Sequence, residues 1–596
     1  MSKSVLMILI LLVATIANAK PMMNRDVAIR YSAVVDTVNW GNLDLTLSFV
    51  ATEENQEVAL PRWMPGAWMV ADYARHLTGM SARDTSGQEL PLEQLTSNRW
   101  RIQCEPGTSI VLSYKHVSSP RGFMGRKLTE QGGTLFGAPV FLFVEGQLDQ
   151  PLSIELQLPA SWGRIHTGLE PDWLSSVARM YLAEDYHQLV DSPFLLGETD
   201  SRDFQVGDRW VSIVLPTTGD FDRDGFQSMV QKIVEEEIRF FGGAPFERYL
   251  FFFHYTRGNS GGGGLEHRNS TSIGLPLAVL QEDMKKTAPI IAHELFHAWN
   301  MKNFYPVGFG SFEYEEPLRT SAFWLGEGVT EYFGWLLTLR AGLLEPQEML
   351  DKVAREIALL EETAARDTIS VAQASRTVWE QGYAGGGVSF YNKGFLVGLA
   401  LDYEIRSSTA GGSNLDDFVR LLNDRFSGKK TGYSGQQLIE ALSLTAGHDM
   451  TSFYNHYIEG TTPFDYAAIL NQAGLQLQLD RQRVGWVGDL TLFGPEHRFY
   501  MIGHQTPLGL AGVQRGDALI AIGDWQLTDA EAAEAHIAAL MPGLETTLLI
   551  ERQGVEMKLP LQVAARDRVE AAVSFDRGET ADRIQFREQW LFGIIR

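Results

Sequence analysis

Hydrophobic and polar positions alternate in short runs over the first third of the chain. Between about residues 20 and 210, runs such as 43–50 and 154–158 place an apolar side chain at every second position between turn residues. Alternation with a period of two is typical of strands that bury one face. The pattern therefore predicts an N-terminal antiparallel β-sandwich that contains no long helix.

From about residue 223 the apolar positions recur every three or four residues, which is typical of helices. A first helix ends at Gly242-Gly243, and a strand is predicted at 249–255. A second strand-like run, 265–273, follows a tract of four glycines. Further helices are predicted at 323–340, 346–365, 394–408, 414–426, 434–445 and 450–458. We therefore expect an α/β domain that continues into a helical domain.

Short strands and turns return beyond about residue 472. The stretch 506–524 resembles the signature of PDZ domains, in which a short helix leads through Gly-Asp, here Gly516-Asp517, into a strand. A helix predicted at 529–540 and a strand predicted at 546–551 complete the resemblance. We expect a C-terminal PDZ domain.

Length and composition limit the classes of function. A chain of 596 residues is too long for one hydrophobic core, so several domains are expected. The net charge of −24 disfavours binding to nucleic acid or to anionic membranes, because both require clustered Lys and Arg. The single Cys104 excludes an intrachain disulfide and a cysteine-based structural zinc site.

The N-terminus has the pattern of an export signal. Lys3 precedes an apolar stretch at 5–17, and Ala17-Asn18-Ala19 offers a cleavage site. As a helix this stretch spans about 20 Å, less than the roughly 30 Å of a bilayer core, so a retained membrane anchor is the weaker alternative. We predict a signal peptide at 1–19, cleaved after Ala19, and a periplasmic or secreted protein with no permanent membrane span after cleavage.

The segment 290–300 contains the motif His-Glu-x-x-His. Residues four apart on a helix share one face, so His293 and His297 can bind the same metal ion. Glu294 lies beside them and can take a proton from the water that the metal activates. The motif predicts one zinc ion per chain, and two ordinary helix-surface histidines are the alternative.

Catalytic zinc usually has three protein ligands, so a third is expected on a separate element. The best candidate is Glu327, which is flanked by glycines at the start of an apolar helix. Glu331 follows one turn later and is suitably placed to accept a hydrogen bond from a ligating imidazole. The alternative is that both carboxylates only favour the helix N-terminus electrostatically.

Several motifs occur in the order of a known family. His-Glu-x-x-His-x-Trp-Asn, followed by Gly-Glu-Gly-x-Thr-x-Tyr-Phe, resembles the glycyl aminopeptidase family of zinc metallopeptidases, whose thermolysin-like clan uses Glu as third ligand. A C-terminal PDZ domain is also a feature of that family. The other similar segments are an N-terminal β-domain motif at 60–68, a glycine-rich substrate strand at 263–267, a helix at 391–406, and 459–461.

The resemblance implies roles for the metal-site residues. It assigns His293, His297 and Glu327 as zinc ligands and Glu294 as the general base. It also implies that Tyr391 stabilises the oxyanion of the reaction, and a packed aromatic residue is the alternative at that position.

The resemblance also implies how the substrate is held. Glu266 would pair with a free α-ammonium group, and Gly263 and Gly264 would let a peptide backbone approach closely. A solvated hairpin carboxylate is the alternative for Glu266.

The expected protein is a multidomain α+β chain. Its predicted segments are a signal peptide at 1–19, an N-terminal antiparallel β-sandwich at 20–210, a thermolysin-like α/β catalytic domain at 211–345, a helical domain at 346–471, a PDZ domain at 472–570 and a C-terminal tail at 571–596.

The function that the resemblance implies is a zinc aminopeptidase that acts on peptides with a free N-terminus and prefers Gly or Ala there. One alternative is a zinc endopeptidase whose PDZ domain holds the C-terminus of the substrate. The other is a catalytically inactive protein whose PDZ domain binds peptide C-termini. N-acetylated peptides distinguish the first two, and metal analysis tests the third. Nucleic acid is not an expected partner.

Overall fold

A computed structural model describes residues 27–117, 128–175, 179–256, 263–310, 312–383, 387–429, 431–494, 496–503 and 506–593. The chain divides into two compact units: unit 1 is Met1–Arg319 with Leu422–Ser434, and unit 2 is Thr320–Leu421 with Gly435–Arg596. The predicted signal peptide lies outside the described residues. None of the helices in the described part of the chain is long and apolar enough to span a bilayer.

The N-terminal part of unit 1 is rich in β-structure, as predicted. Its strands are β1 Ile29–Val35, β2 Leu43–Val50, β3 Gln56–Ala59, β4 Leu77–Asp84, β5 Glu89–Leu90, β6 Leu92–Gln94, β7 Arg99–Ile102, β8 Ser109–His116, β9 Gly132–Leu135, β10 Phe143–Val144, β11 Leu152–Gln157, β12 Arg164–Thr167, β13 Glu170–Pro171, β14 Met180–Ala183 and β15 Phe194–Gly197. A short helix, α1, covers Tyr186–Val190. The strands form sheets in the orders β13-β14-β11-β1-β2-β8-β4-β5, β10-β3-β7-β6 and β12-β15-β9.

One strand pair departs from the predicted antiparallel arrangement. β1 and β11 run parallel, with Ile29 opposite Leu152. A parallel pair requires a long crossover connection, and most of the N-terminal strands lie between these two in sequence. The predicted alternation holds in β2, where Leu43, Leu45 and Leu47 are buried on one face.

A mixed five-stranded sheet forms the second part of unit 1. It contains β16 Thr199–Val206, β17 Arg209–Pro216, β18 Arg248–Thr256, β19 Gly263–Glu266 and β20 Ser270–Pro276, in the order β16-β17-β18-β20-β19. The neighbours β17, β18 and β20 are parallel, and β19 pairs antiparallel with β20 at the end of the sheet. The run predicted as one strand at 265–273 is therefore two strands, because His267 N–H donates to Ser270 O at 2.8 Å and closes a turn.

Three helices accompany this sheet: α2 Arg223–Phe241, α3 Leu277–Asp283 and α4 Ala288–Phe296. The helix α2 begins where the Asp222 side chain accepts a hydrogen bond from Gly225 N–H, and it ends at Gly242 with φ 73°. The helix α4 carries Pro289 in its first turn, where proline is well tolerated.

Residues 320–471 are helical. The elements are a π-helical turn Trp324–Val329, α5 Thr330–Arg340, α6 Pro346–Glu362, α7 Val371–Arg376, α8 Val378–Gln381, α9 Phe390–Ser408, α10 Leu415–Phe426, α11 Gly435–Ala446, α12 Thr451–Phe453, a π-helical turn Tyr454–Ile458 and α13 Tyr466–Asn471. The predicted helix at 323–340 thus begins as a π-helix, and only its second part is α-helical.

The C-terminal part of unit 2 returns to β-structure. Its elements are β21 Leu475–Trp486, β22 Thr491–Phe493, β23 Arg498–Met501, α14 Pro507–Leu510, β24 Ala518–Ile522, β25 Trp525–Gln526, α15 Ala530–Ala539, β26 Glu545–Arg552, β27 Val555–Gln562, β28 Ala564–Phe575 and α16 Ala581–Phe592. β21 pairs with β28, and the sheet order of the others is β22-β23-β24-β26-β27, with β25 on β24. The helix predicted at 529–540 and the strand predicted at 546–551 are α15 and β26.

The segment 571–596, predicted as a tail, contains the ordered helix α16. Trp590 is fully buried, and its Nε1 donates to the hydroxyl of Tyr332 at 2.8 Å. Arg340 Nη2 donates to the carbonyl of Trp590 at 3.0 Å. Both partners lie on α5, so burial of this apolar side chain fixes the C-terminal helix to the helix that follows Glu327.

Candidate active site

The two motif histidines present their Nε2 atoms toward one point. His293 lies in the last turn of α4, and His297 follows that helix with helical backbone angles. The two Nε2 atoms are 3.1 Å apart. His297 Nδ1 lies 3.2 Å from Asn300 O, a hydrogen bond in which Nδ1–H donates and the Nε2 lone pair is left for a metal.

The third predicted ligand completes the group. One ligand atom from each of His293, His297 and Glu327 lies within 4.8 Å of the others, and all three residues are buried. Ligand atoms about 2.0–2.2 Å from a tetrahedral zinc ion stand about 3.3–3.6 Å apart, so the 3.1 Å between the two imidazole nitrogens is close to this spacing. Two imidazoles and one carboxylate are a catalytic zinc donor set that leaves a coordination position open.

Glu327 lies in the π-helical turn Trp324–Val329. A π-helical turn contains one residue more than an α-helical turn, and such turns often occur at functional sites. Close packing explains the flanking glycine: a Cβ on Gly328 would lie 2.4 Å from Gly394 Cα and 2.5 Å from Phe390 O. Within unit 2, the turn with Glu327 and the start of α9 therefore touch backbone to backbone.

Glu294 is buried against the edge strand of the mixed sheet. A Cβ on Gly264 would lie 2.0 Å from Glu294 Cδ, so only glycine leaves room for this carboxylate. Thr271 Oγ1 donates to Glu294 Oε2 at 3.4 Å. The strand predicted to bind substrate and the predicted general base are thus in contact within unit 1.

Glu266 ends the same edge strand and is 5% exposed. No hydrogen-bond donor among the described residues reaches the Glu266 carboxylate. Within the same part of the chain, Glu266 forms an ion pair with Lys302, whose Nζ lies 3.9 Å from Glu266 Oε1. Gly263, at the start of the strand, has open space at its Cβ position among the described residues. The structure therefore does not support the alternative of a solvated hairpin carboxylate.

Tyr391 and Glu331 lie on separate helices of unit 2. Tyr391 is in the first turn of α9, half-buried, with its ring stacked on that of Phe390 at 5.0 Å. Glu331 Oε1 accepts hydrogen bonds from Lys352 Nζ at 2.7 Å and from Trp335 Nε1 at 3.2 Å. The roles assigned to these two residues stay predictions.

A further buried carboxyl group of unit 1 interacts with His293. Glu237 on α2 is fully buried, and neither of its carboxylate oxygens has a hydrogen-bond partner among the described residues. Burial and the neighbouring Glu236 raise the pKa of Glu237 well above its usual range, and His293 opposes that rise. The raised pKa favours the protonated, neutral form of Glu237, so this residue adds little negative charge beside the histidines.

Three further residues lie around Glu266, and only one of them belongs to a motif of the sequence. Asp191 and Lys302 form a partly buried ion pair of 2.9 Å beside Glu266. A Cβ on Gly66, whose φ is +91°, would lie 2.8 Å from Glu266 Oε2. The only signal in the sequence was the position of Gly66 within the motif at 60–68.

Two segments match models of one family. Residues 30–198 match the peptidase M61 N-terminal domain, and residues 286–397 match the M61 glycyl aminopeptidase model. The second segment includes the three residues predicted as metal ligands, Glu294 and Tyr391. The predicted resemblance to the glycyl aminopeptidase family is therefore confirmed.

Two matches among solved structures differ in how far they resemble this chain, and only the first shows a similar fold. A protein of the aminopeptidase N family from Idiomarina loihiensis has a TM-score of 0.79 and 23% identity, over 94% of this chain and 100% of that chain. An M1 zinc metallopeptidase from Deinococcus radiodurans has a TM-score of 0.44 and 17% identity, over 74% of this chain and 95% of that chain. No match was found among curated proteins.

Proposed function

We propose that this zinc aminopeptidase, which carries both domains of the M61 glycyl aminopeptidase family, removes small residues such as Gly or Ala from the N-terminus of peptides. The exopeptidase proposal rests on the surroundings of Glu266. Glu266 is a buried carboxylate without hydrogen-bond donors among the described residues, on the strand that also contacts Glu294. The description of the family supports the preference for glycine.

We assign the metal to His293, His297 and Glu327 and the proton transfers to Glu294. When bound, a zinc ion would lower the pKa of its water and polarise a carbonyl oxygen. Glu294 accepts the proton of the attacking water and delivers it to the departing amine. Its burial against Gly264 supports this role, because the carboxylate lies beside the strand that would hold the peptide.

We assign stabilisation of the oxyanion to Tyr391. We assign to Glu331 the role of orienting a ligating imidazole. The Tyr391 hydroxyl would donate a hydrogen bond as charge develops on the carbonyl oxygen. The close contact of Gly328 with Gly394 supports this assignment, because it fixes the helix of Tyr391 against the turn of Glu327. Lys352 anchors the Glu331 carboxylate.

The edge strand β19 would bind the peptide backbone, and Glu266 its α-ammonium group. An edge strand has unpaired N–H and C=O groups that can pair with an extended peptide. The buried Glu266 carboxylate leaves its acceptor positions to the three donors of an ammonium group. A peptide with a blocked N-terminus would leave this carboxylate without that partner.

Replacement of Glu266 by Gln is expected to raise KM for a glycyl anilide by about 10- to 100-fold, because a hydrogen bond to a charged group contributes about 1.5–3 kcal/mol. The kcat should change much less, since the metal ligands and Glu294 are intact. Steady-state kinetics on a panel of aminoacyl anilides measures both. Glu282→Gln, at an exposed pair with Lys286, is the matched control. An unchanged KM in Glu266→Gln would refute the amine contact.

We also propose that residues 472–570 form a PDZ domain and that the chain is exported. The order β24, β25, α15 and β26 supports the PDZ assignment. The C-terminus of a peptide is the candidate ligand of that domain, and a role as a rigid lid or dimer contact is the alternative. Export rests on the signal pattern at 1–19.

A further inference from the structure

We propose that Asp191 is a positioning residue for amine recognition: it holds the Lys302 ammonium group back from Glu266, so that the Glu266 carboxylate stays open to the α-ammonium group of the substrate. This inference rests on the proposed role of Glu266. All three residues belong to unit 1, although Asp191 is far from both in sequence.

Two distances show that Lys302 donates a hydrogen bond to Asp191 and none to Glu266. Lys302 Nζ lies 2.9 Å from Asp191 Oδ1, which is a charge-assisted hydrogen bond. The same atom lies 3.9 Å from Glu266 Oε1, beyond hydrogen-bond distance. Lys302 therefore interacts with Glu266 by charge alone, and the hydrogen-bond acceptors of Glu266 are left for another donor.

Asp191 is itself held in place by its neighbours. Its Oδ2 accepts a hydrogen bond from Arg268 N–H at 2.7 Å, and His267 Nδ1 lies 3.4 Å from its Oδ1. Burial acts to raise the pKa of Asp191, but Lys302 and His267 lower it, and the net result is a pKa below the usual range. Asp191 is consequently an anion over the working pH range and a permanent partner for Lys302.

The Glu266 carboxylate has room for a cation of its own. Lys302, whose side chain is 9% exposed, is hydrogen-bonded to Asp191 rather than to Glu266. A buried carboxylate without full compensation is unfavourable, and a substrate ammonium group would supply the missing charge. A peptide that lacks a free amine would not.

The loop around Gly66 limits where the Glu266 carboxylate can move. A Cβ at Gly66 would lie 2.6 Å from Leu265 Cδ1 and 2.8 Å from Glu266 Oε2. This loop is held by Trp63, whose Nε1 donates to Glu316 O at 3.0 Å. The carboxylate thus lies between the Gly66 backbone on one side and the Lys302 charge on another.

The test is a double-mutant cycle on a glycyl anilide. In Asp191→Asn, Lys302 loses its anionic partner and should move to Glu266, where it competes with the substrate. KM should then rise at least about tenfold, with kcat within about threefold of wild type. In Asp191→Asn/Lys302→Met the competitor is gone as well, and KM should return to within about threefold of wild type. Lys302→Met alone should leave KM at or below the wild-type value.

The controls distinguish positioning from a merely structural role. Lys286→Met removes a lysine from an exposed pair with Glu282 and should change nothing. Zinc content and unfolding midpoints should be recorded for every variant. An unchanged KM in Asp191→Asn, or a double variant at least as impaired as the single one, would overturn the inference. If Asp191→Asn does not fold, a tenfold higher KM in Lys302→Met overturns it, and an unraised KM supports it.

Failure of this inference is distinguishable from failure of the proposed function. If wild-type enzyme cleaves N-acetylated peptides as fast as free ones, the role of Glu266 fails, and the inference with it. If wild type discriminates and Glu266→Gln raises KM while Asp191→Asn does not, only the positioning role is lost.

Discussion

Glu294→Gln is expected to lower kcat by about 10²- to 10⁴-fold while the protein keeps its zinc. Glu294 lies next to the ligand His293 on α4 but is not a member of the metal-binding group. Glutamine has nearly the same shape, so it fits the space between Gly264 and Thr271. It cannot accept a proton as a carboxylate does, and the transfer from the attacking water should fail.

Initial rates on a glycyl anilide and zinc content per chain, measured on the same preparations, check this prediction. Glu282→Gln is the matched control, because it makes the same exchange at an exposed position six residues before α4. Activity equal to wild type in zinc-loaded Glu294→Gln would remove this carboxylate from the mechanism. Loss of zinc in the variant would show that Glu294 has a structural role in the metal site.

Glu327→Gln is expected to weaken zinc binding by at least about 100-fold, since even the loss of an outer-shell partner costs about 10- to 100-fold. Glu327 is the carboxylate of the three-residue group, and it is 2% exposed. Its removal leaves two imidazoles, too few protein ligands for a catalytic zinc site. Competition with a chelator of known affinity measures the change.

Glu331→Gln is the matched control for the metal measurement, because it lies one turn further along the same continuous helical segment. We expect a smaller loss of zinc affinity, about 10- to 100-fold. Wild-type zinc affinity in Glu327→Gln would exclude this residue as a ligand. Equal losses in both variants would indicate that general disturbance of the helix, rather than loss of a ligand atom, weakens binding.

The pairing of the two motif histidines could be predicted from sequence because their spacing carries the geometry. His293 and His297 are one helical turn apart, so their relation depends only on helix formation. The π-helical form of Trp324–Val329 could not be predicted in this way, because it depends on packing against α9. The glycines that flank Glu327 do not show in the sequence which element packs against them.

The surroundings of Glu266 lay beyond sequence reasoning. Asp191 and Lys302 are 111 residues apart, and no periodicity relates them. The turn that separates β19 from β20 was missed for a similar reason: the run 265–273 contains apolar and β-branched residues that favour a single strand. Only the pairing of β20 with β18 on its other side defines β19 as an edge.

The order of the C-terminal elements was largely predictable, and the packing of α16 was not. Local turn signals mark α15 and β26, whose predicted bounds differ from the observed ones by one residue at each end. No element was predicted within 571–596, where α16 lies. Its buried Trp590 finds a partner in Tyr332, far away in sequence.

The products of wild-type, zinc-loaded enzyme on one short peptide, supplied with a free and with an N-acetylated N-terminus, test the central claim most directly. Mass spectrometry over time should show stepwise release of the N-terminal residue from the free peptide. The acetylated peptide should react at least about tenfold more slowly, because Glu266 loses its charged partner. Equal cleavage of both peptides, or cuts at internal bonds, would contradict the account and identify an endopeptidase.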